Sequence, residues 1–404
     1  MMKTIRIPQL PWHNPRDLEL PIPDSWDIEM CNMAGYKRPA LNDDQIRASV
    51  ANPIDVPPIR EAVRGKKEVV ILFDDMTRVT RVARIVPFIL EELKAGGVPD
   101  ERIRFIGATG THAPMNRADF AKKLGNNVLA RYPVFNHNPY ENHTYAGTTS
   151  RGTKVFVNAE VMQCDFRIAI GSVAPHGMTA FSGGGKIVLP GIASIDTIEA
   201  NHRIPLSPRE RTDYERNPRR LDMEEAAALV GMDFLVECIY NMRGDTVAIF
   251  SGASAAHEAC VQEARTHYLT TQAEGKDIVI ANTFAKSTEA ATGLKTIVSV
   301  SQEGGDFLLI CNAPEGQVVH YLMGPWGKTI GGRMRLRFPV PPHINHFIVY
   351  TEYPDIAGLG WFEPSERILH LNKWDDVVDI LQGSHGDHPT VAVYPNADVQ
   401  YFGY

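Results

Sequence analysis

Three short segments of the chain place glycines beside side chains that can move protons or bind anions. They are Asp75-Met-Thr-Arg78, Gly107-Ala-Thr-Gly-Thr-His112 and His176-Gly-Met-Thr-Ala-Phe-Ser-Gly-Gly-Gly-Lys186. Imidazole suits proton transfer because its ordinary pKa of about 6.5 leaves both protonation states populated near neutrality. A guanidinium group grips a carboxylate through two parallel hydrogen bonds. Together the segments supply a candidate carboxylate grip, imidazoles and a lysine.

Each of the first two segments also has a simpler, structural explanation. Arg78 is a candidate ligand for a substrate carboxylate, with Asp75 orienting it or meeting a hydroxyl group. A salt bridge at the end of a strand would use the same pair. His112 is a candidate general base in a loop whose small residues let a ligand approach the backbone, although a single histidine is often purely structural.

The third segment is the most specific of the three. Its consecutive glycines, Gly183–Gly185, predict close approach of the backbone to a group such as a phosphate, and Lys186 follows at once. The segment is not a Walker A loop, because Ala180 stands where the first glycine would be and Ile187 replaces the required serine or threonine. A P-loop nucleotide triphosphatase is therefore excluded, and the sequence contains no HExxH motif of a zincin. Further histidines are interpreted as loop residues, the first of them also as a candidate neighbour of a cofactor: His137, His143, His385 and His388.

An alternation of strands and helices must position these segments. The apolar run 68–73 predicts a buried strand, and the spacing of apolar residues over 82–95 predicts a helix that ends at Gly96-Gly97. Further strands are predicted near 103–106, 153–157 and 166–173. This order favours a parallel sheet with helices on both faces, whose binding groups follow the carboxyl ends of the strands.

The second half of the chain repeats the alternation after an irregular stretch. Residues 203–230 comprise a charged stretch with several prolines, 205–220, and a predicted helix over 223–230, which suggests a lid or an oligomer contact. Strand-like runs near 232–241 and 246–251 and a helix over 253–272 follow, and then four more predicted strands: 277–281, 307–311, 347–351 and 390–394. We therefore predict two α/β domains with mainly parallel sheets, residues 1–262 and 263–404, with the active site in the cleft between them.

Composition narrows the class of protein. The 404 residues carry a net charge of −7, which disfavours binding to nucleic acid or to an anionic membrane. The chain lacks an apolar run of about 18 residues that could span a bilayer, and its polar start lacks the apolar core of a signal peptide, so we expect a cytoplasmic location. The five cysteines are scattered without any CxxC spacing, which predicts buried thiols rather than disulfides or a zinc site.

The ordered set of motifs resembles the nickel-pincer-nucleotide enzymes of the lactate racemase family. The motifs that carry the resemblance are Asp75-x-Thr-Arg78, Thr109-Gly-Thr-His112, His176, Phe181-Ser-Gly-Gly-Gly-Lys186, Leu189-Pro-Gly191 and Asn201-His202. The resemblance is strongest between about residues 68 and 204. It implies a nickel pyridinium-3,5-bisthiocarboxylic acid mononucleotide, joined through a thioamide to Lys186.

The resemblance also implies a role for each matching position. His202 would be the nickel ligand, and His112 and His176 the acid–base pair. Arg78 would clamp the substrate carboxylate, with Asp75 and Lys295 as further substrate-binding residues. The remaining cofactor-binding positions would be Thr109, Gly110, Ser182, Gly183, Gly184 and Gly185.

The activity implied is a racemase or epimerase that inverts C2 of a 2-hydroxy acid by reversible hydride transfer to the cofactor. Two departures concern the substrate: Ala291-Thr292 replaces an aromatic-glutamine pair, and Gly185 stands where arginine is common. A smaller wall at 291–292 suggests a longer or more polar substrate than lactate, such as a sugar acid. We expect cofactor-making proteins as partners in trans, and a homo-oligomer is left open. A metal-dependent hydrolase or lyase that uses the same histidines, and a non-catalytic cofactor-binding protein, are the alternatives.

Overall fold

The computed structural model describes residues 1–324, 331–355 and 357–403, which form two compact units. One unit is residues 37–265, and the other, here called the two-segment unit, combines residues 1–36 with 266–403. The predicted first domain, residues 1–262, differs from this division in its first 36 residues. The reason is long-range strand pairing, which no local pattern of residues reports.

The strands are, in chain order, β1 (Met2–Gln9), β2 (Arg16–Pro23), β3 (Asp27–Met30), β4 (Val69–Asp74), β5 (Ile103–Ala108), β6 (Val134–Asn136), β7 (His143–Thr148), β8 (Lys154–Asn158), β9 (Phe166–Ser172), β10 (Pro175–His176), β11 (Ala180–Phe181), β12 (Phe234–Tyr240), β13 (Thr246–Gly252), β14 (Ile278–Asn282), β15 (Gly305–Ile310), β16 (Ile344–Tyr350), β17 (Ile368–Leu371) and β18 (Thr390–Tyr394).

The α-helices are α1 (Asp43–Ala51), α2 (Ile59–Ala62), α3 (Val82–Ala95), α4 (Arg117–Leu124), α5 (Asn126–Arg131), α6 (Ala159–Gln163), α7 (Ile195–His202), α8 (Pro208–Thr212), α9 (Pro218–Val230), α10 (Ser254–His267) and α11 (Trp374–His385). Short 3₁₀ segments cover Asp100–Arg102, Gly184–Ile187, Ser287–Ser299, Ala357–Trp361 and Ala397–Val399.

The 37–265 unit is built around a six-stranded sheet in the order β13-β12-β9-β4-β5-β6. Every neighbouring pair is parallel except β12 and β13, which are joined by a short turn and run antiparallel. The central strand β4 is buried along its whole length, as its continuous apolar sequence predicts. The prediction of an α/β fold with mainly parallel sheets is confirmed.

Helix α3 covers the sheet and occupies the residues that the periodicity predicts. Its apolar positions recur at helical spacing and join the core of the sheet: Val82, Ile85, Val86, Ile89 and Leu93. The last turn ends at Gly96, and Gly97 has a φ of 84°, which favours glycine after a helix. The helix therefore fixes the direction in which the chain leaves β4.

The two-segment unit has its own six-stranded sheet, entirely parallel, in the order β17-β16-β15-β14-β18-β3. Strand β3 pairs with β18, which lies more than 350 residues along the chain, with Asp27 opposite Thr390. The β1–β2 hairpin adds buried residues to the same core, among them Ile7 and Leu20 beside Ile278. This packing explains why the first 36 residues belong to this unit.

Other features agree with the composition. All five cysteines are free and buried, which confirms the prediction of buried thiols. Across residues 1–324, 331–355 and 357–403, no helix is long and apolar enough to span a membrane. The irregular stretch 203–230 contains α8 and α9, and Asn217, which caps α9, also donates a hydrogen bond to the carbonyl of Met178 (3.0 Å).

Candidate active site

The three segments with chemical side chains leave the same edge of one sheet. Residues 75–78 follow β4, residues 109–112 follow β5, and the 173–186 segment follows β9. Because β4 runs parallel to both β5 and β9, the carboxyl ends of all three strands meet at this edge. The sheet thereby gathers residues that lie more than a hundred positions apart in sequence.

The buried Asp75 and the half-buried His112 form a carboxylate–imidazole pair at this edge. Asp75 Oδ2 lies 2.6 Å from His112 Nδ1, and Asp75 Oδ1 accepts hydrogen bonds from the amide and hydroxyl of Thr77 (2.9 and 2.5 Å). Burial raises the pKa of Asp75, but the charge and hydrogen bond of His112, together with Arg78, outweigh it and lower that pKa below its usual range. The ionised carboxylate favours the imidazole tautomer with its proton on Nδ1, which leaves Nε2 as a base.

Arg78 is held by its own loop and by a buried lysine that the sequence analysis missed. Its Nη1 donates to the carbonyl and hydroxyl oxygens of Thr77 (2.9 and 2.7 Å). Lys123 Nζ donates to the Arg78 carbonyl (2.8 Å) and to Asp74 Oδ1 (2.6 Å), and the Lys123 side chain is fully buried. In the sequence, the consecutive aspartates Asp74 and Asp75 at the end of β4 were the one feature that indicated a nearby cation.

His176 and Lys186 come together through the small hairpin of β10 and β11. His176 Nδ1 accepts a hydrogen bond from the Met178 amide (3.2 Å) and lies 3.1 Å from the Thr179 hydroxyl, which donates to the Phe181 carbonyl (3.0 Å). His176 Nε2 lies 3.5 Å from Lys186 Nζ. The structure thus places the predicted lysine beside one of the two predicted acid–base histidines.

His202 ends α7 as a buried, neutral imidazole. Its Nδ1 donates to the Ile198 carbonyl (3.0 Å), so its lone pair is on Nε2. Burial, followed by the positive charges of Lys186 and Arg219, lowers the pKa of His202 to about 3. A fixed tautomer that resists protonation is the form in which histidine binds a metal ion.

The backbone amides of the glycines before Lys186 donate to carboxylates of the same chain, whereas the sequence predicted that this backbone would approach a group such as a phosphate. The amide of Gly184 donates to Glu237 Oε1 (2.6 Å), and the amide of Gly185 donates to the Glu224 carboxylate (3.1 and 3.2 Å). A Cβ at Gly183, whose φ is 81°, would lie 2.3 Å from Glu237 Oε2. The chain's own carboxylates therefore occupy the amides that a phosphate would need.

These carboxylates belong to a group of three buried residues and the partly exposed Glu224, here called the loop-support cluster: Arg220, Glu224, Glu237 and His257. Arg220 is the centre, since Nη1 donates to the Gly183 carbonyl (2.8 Å) and Nη2 contacts Glu224 Oε1 (2.6 Å) and His257 Nε2. His257 Nδ1 lies 3.7 Å from Glu237 Oε1. The cluster fixes the backbone that carries Lys186, and its members are too far apart in sequence to form a motif.

Three other predicted cofactor-binding positions make contacts within the protein. The Ser182 hydroxyl donates to the Ser172 carbonyl (2.8 Å) and accepts from the Ala174 amide (2.9 Å). Thr109 Oγ1 reaches the His137 carbonyl at 3.4 Å, and the Gly110 amide donates to the Gly191 carbonyl (2.9 Å). These bonds hold the loops of the site together, and contact with a cofactor stays a prediction.

Lys295 belongs to the two-segment unit, on the 3₁₀ segment Ser287–Ser299. Its Nζ donates to the Asp398 carbonyl (3.0 Å). Burial, and then the neighbouring charge of Lys286, lower the pKa of Lys295 well below its usual range. Lys286 and Asp398 are buried partners that the sequence analysis did not identify.

Two of the remaining histidines have structural contacts. His137 Nε2 donates to the Ala193 carbonyl (2.9 Å), and its Nδ1 accepts from Asn158 Nδ2 (3.3 Å). His385 Nε2 lies 3.1 Å from the buried Asp306 Oδ2. Over the described ranges, three or more His, Cys, Asp or Glu side chains are nowhere grouped as a protein-held metal ion would require.

Comparison with known proteins gives a consistent set of relatives. Residues 14–213 match the family model of the lactate racemase N-terminal domain. The lactate racemase of Lactiplantibacillus plantarum is 28% identical over 294 residues, which cover 70% of this chain and 69% of that protein. The lactate racemase of Thermoanaerobacterium thermosaccharolyticum is 29% identical over 252 residues, 61% of this chain and 59% of that protein, so the match spans less than two thirds of its length.

Solved structures share the fold over a longer part of the chain. The lactate racemase apoprotein from Thermoanaerobacterium thermosaccharolyticum superimposes with a TM-score of 0.75 and 21% identity, covering 99% of this chain and 100% of that one. A protein from Thermotoga maritima gives a TM-score of 0.65 and 17% identity, covering 90% of this chain and 98% of that one. At these identities the likeness concerns the fold alone.

Proposed function

Because the chain belongs to the lactate racemase-like family, we propose that it is a racemase or epimerase that inverts C2 of a 2-hydroxy acid with a nickel-pincer nucleotide. The observation that carries the proposal is the setting of His202. Its Nε2 holds a lone pair, its Nδ1 is fixed by the Ile198 carbonyl, and the Lys186 charge is close enough to lower its pKa. The residue proposed as metal ligand and the residue proposed for the covalent tether therefore belong to the same unit, and the charge of Lys186 acts on the His202 ring.

The residues fit the cofactor in two respects and fail to fit it in one. His202 can complete the coordination of nickel through Nε2, and Lys186 can carry the tether. The amides of Gly184 and Gly185 cannot hold the nucleotide phosphate, since they donate to Glu224 and Glu237. When bound, the group would supply acceptance and return of a hydride at C2.

The protein's own contribution is proton transfer and orientation. His112 Nε2 takes the proton of the substrate hydroxyl, and Asp75 stabilises the imidazolium that results. His176 is proposed as the acid–base residue for the opposite enantiomer. Arg78 binds the substrate carboxylate, which holds C2 in one place while its configuration changes.

The substrate is proposed to be larger or more polar than lactate, such as a sugar acid. The proposal rests on Ala291 and Thr292, which are smaller than the aromatic-glutamine pair expected there from the family resemblance. The Thr292 hydroxyl donates to the Glu289 carbonyl (2.8 Å) within its own segment. We expect a higher kcat/KM for four- to six-carbon 2-hydroxy acids than for lactate, and equal values would remove the basis for a larger substrate.

The reaction is tested with 2-hydroxy acids of one configuration that carry deuterium at C2. The enzyme is produced together with the cofactor-making proteins, and both enantiomers are quantified by chiral chromatography. Hydride transfer predicts inversion with deuterium retained at C2. If the enzyme instead removed the C2 deuterium as a deuteron, the label would exchange with hydrogen from water. Release of a hydrolysis or elimination product instead of the enantiomer would favour the hydrolase or lyase, and binding without turnover would favour a cofactor-binding protein.

A further inference from the structure

An anion near Lys186 cannot use the glycine amides of the loop. The amides of Gly184 and Gly185 donate to Glu237 and Glu224, and both carboxylates would repel a phosphate. Any anionic group bound beside Lys186 therefore needs donors from another element. Helix α9, which packs on the Lys186 segment, carries such a donor in Arg219.

Arg219 differs from three neighbouring arginines that each pair with a carboxylate. Arg203 pairs with Glu199 (2.7 Å), Arg216 with Asp213 (3.9 Å) and Arg220 with Glu224 (2.6 Å). The half-buried Arg219 has no carboxylate partner among the residues that the structure describes. A guanidinium that is partly withdrawn from water without a counter-ion is stabilised when an anion binds.

The position of Arg219 is fixed by neutral contacts. Its Nε donates to the Ile204 carbonyl (2.9 Å), and its Nη1 lies 3.4 Å from Met178 Sδ. The Asn201 side chain donates to the Arg219 carbonyl (3.1 Å), which ties this residue to the end of α7 beside His202. Since a guanidinium carries five N–H donors, these contacts leave further donors for a ligand.

Positive charge converges on His202 from two sides. Arg219 donates to the Ile204 carbonyl, two residues after His202, and its helix α9 packs on the segment that carries Lys186. Burial, and then the charge of Arg211, lower the pKa of Arg219, so the site favours a compensating negative charge. Such a set of cations is typical of a phosphate-binding position.

We propose that Arg219, with Arg211 as a second cation, forms an anion subsite next to His202 and Lys186 that binds a phosphomonoester dianion. The inference rests on the proposed function, because the nucleotide of the cofactor supplies such a phosphate. A phosphate at the far end of the substrate has the same chemistry. The two sources require separate measurements.

The first measurement uses the cofactor-free protein and two probes, nicotinate mononucleotide and nicotinate riboside, which differ by one phosphate. Calorimetric titration is expected to show the mononucleotide binding about tenfold or more tightly than the riboside. Arg219→Met should reduce this ratio to near one, and Arg219→Lys should retain part of it because lysine keeps the charge without the paired fork. Arg203→Met, at an arginine that already has a carboxylate partner, is the matched control and should leave the ratio unchanged.

The second measurement uses the loaded enzyme with glycerate and with 3-phosphoglycerate. If the substrate supplies the phosphate, Arg219→Met raises KM for 3-phosphoglycerate about tenfold, leaves KM for glycerate unchanged and does not alter the probe ratio. The subsite is overturned if Arg219→Met, shown by circular dichroism to be folded, keeps both the wild-type binding ratio of the two probes and the wild-type KM for 3-phosphoglycerate. If the wild-type protein prefers the mononucleotide but the loaded enzyme racemises no 2-hydroxy acid, the proposed function is rejected while the anion subsite is supported.

Discussion

His112 and His202 are both enclosed histidines of the 37–265 unit, yet their surroundings prepare them for opposite tasks. The His112 Nδ1 faces the Asp75 carboxylate at 2.6 Å, so the protein stabilises a proton gained by this ring. The His202 Nδ1 faces the Ile198 carbonyl, and the nearby charges are positive, so this ring stays neutral. The partner of Nδ1, rather than the residue type, separates an acid–base group from a metal ligand.

The comparison also explains why both rings expose the same nitrogen. In each case the hydrogen bond at Nδ1 leaves the lone pair on Nε2. In His112 the carboxylate at Nδ1 favours proton uptake at Nε2. In His202 the partner of Nδ1 is a neutral carbonyl and the nearby charges are positive, so protonation of Nε2 is disfavoured and its lone pair stays available for a metal ion. The variants below test whether these assignments can be separated.

The largest effect is expected for His202→Gln. Loss of the imidazole removes the proposed protein ligand, and nickel content per chain should fall to about a tenth of the wild-type value or less. Metal quantitation on purified protein gives the result. His143→Gln, at the first residue of β7, alters a histidine whose Nε2 donates to the Asn138 carbonyl and should keep full nickel; a parallel loss in both would reject His202 as the ligand.

His112→Ala should separate chemistry from cofactor binding. Removing the general base is expected to lower kcat about 10²-fold, since acid–base catalysis typically contributes that much. Nickel content and the thermal unfolding temperature should stay near the wild-type values. Unchanged kcat would remove His112 from the proposed mechanism. Loss of nickel would mean that His112, like His202, is needed for metal binding and does not act only as a general base.

Arg220→Met tests the support of the Lys186 segment. The substitution leaves the buried Gly183 end of the loop and the Glu224 carboxylate, whose side chain is 35% exposed, without their guanidinium partner. We expect the free energy of unfolding to fall by about 2 kcal/mol, less than for a fully buried ion pair because water reaches Glu224. Arg216→Met, at an exposed arginine, should change it by less than about 0.5 kcal/mol, and equal small losses in urea unfolding would mean that the cluster does not hold the loop.

The smallest effect concerns His137, a third enclosed histidine whose two nitrogens are both used. Burial lowers the pKa of His137 from 6.5 to about 4. Between these values the unfolded chain binds a proton that the folded chain refuses, so the free energy of unfolding falls as the pH drops from about 6.5 toward 4. His137→Gln should show a shallower fall between pH 7.5 and 5.0 in urea unfolding, and an equal slope would assign the pH dependence to other groups.

The elements that hold the site could be predicted because their patterns are local. The apolar run before Asp75 and the helical spacing over 82–95 both gave the observed strand and helix. The pairing of β3 with β18 could not be predicted, since Asp27 and Thr390 come together only in the folded chain. The same limit applies to Arg220 and Glu237, which approach the glycine loop from distant elements.

The glycine loop shows where reasoning from residue type fails. Consecutive glycines correctly indicated close approach to the backbone, but the sequence does not say what approaches. Glu237 and Arg220 fill the space expected for a phosphate. Lys186 and His202 belong to the same unit, on the 3₁₀ segment Gly184–Ile187 and at the end of α7, and their roles toward a cofactor stay predictions.

The measurement that tests the account most directly is intact mass with nickel quantitation on the wild-type protein and on Lys186→Ala, both produced together with the cofactor-making proteins. The account predicts a nickel-bearing covalent adduct on the wild type and no adduct on Lys186→Ala. An adduct of equal mass on both proteins would contradict the tether at Lys186. Absence of adduct and nickel from both would contradict the cofactor itself and favour a hydrolase or lyase that uses the same histidines.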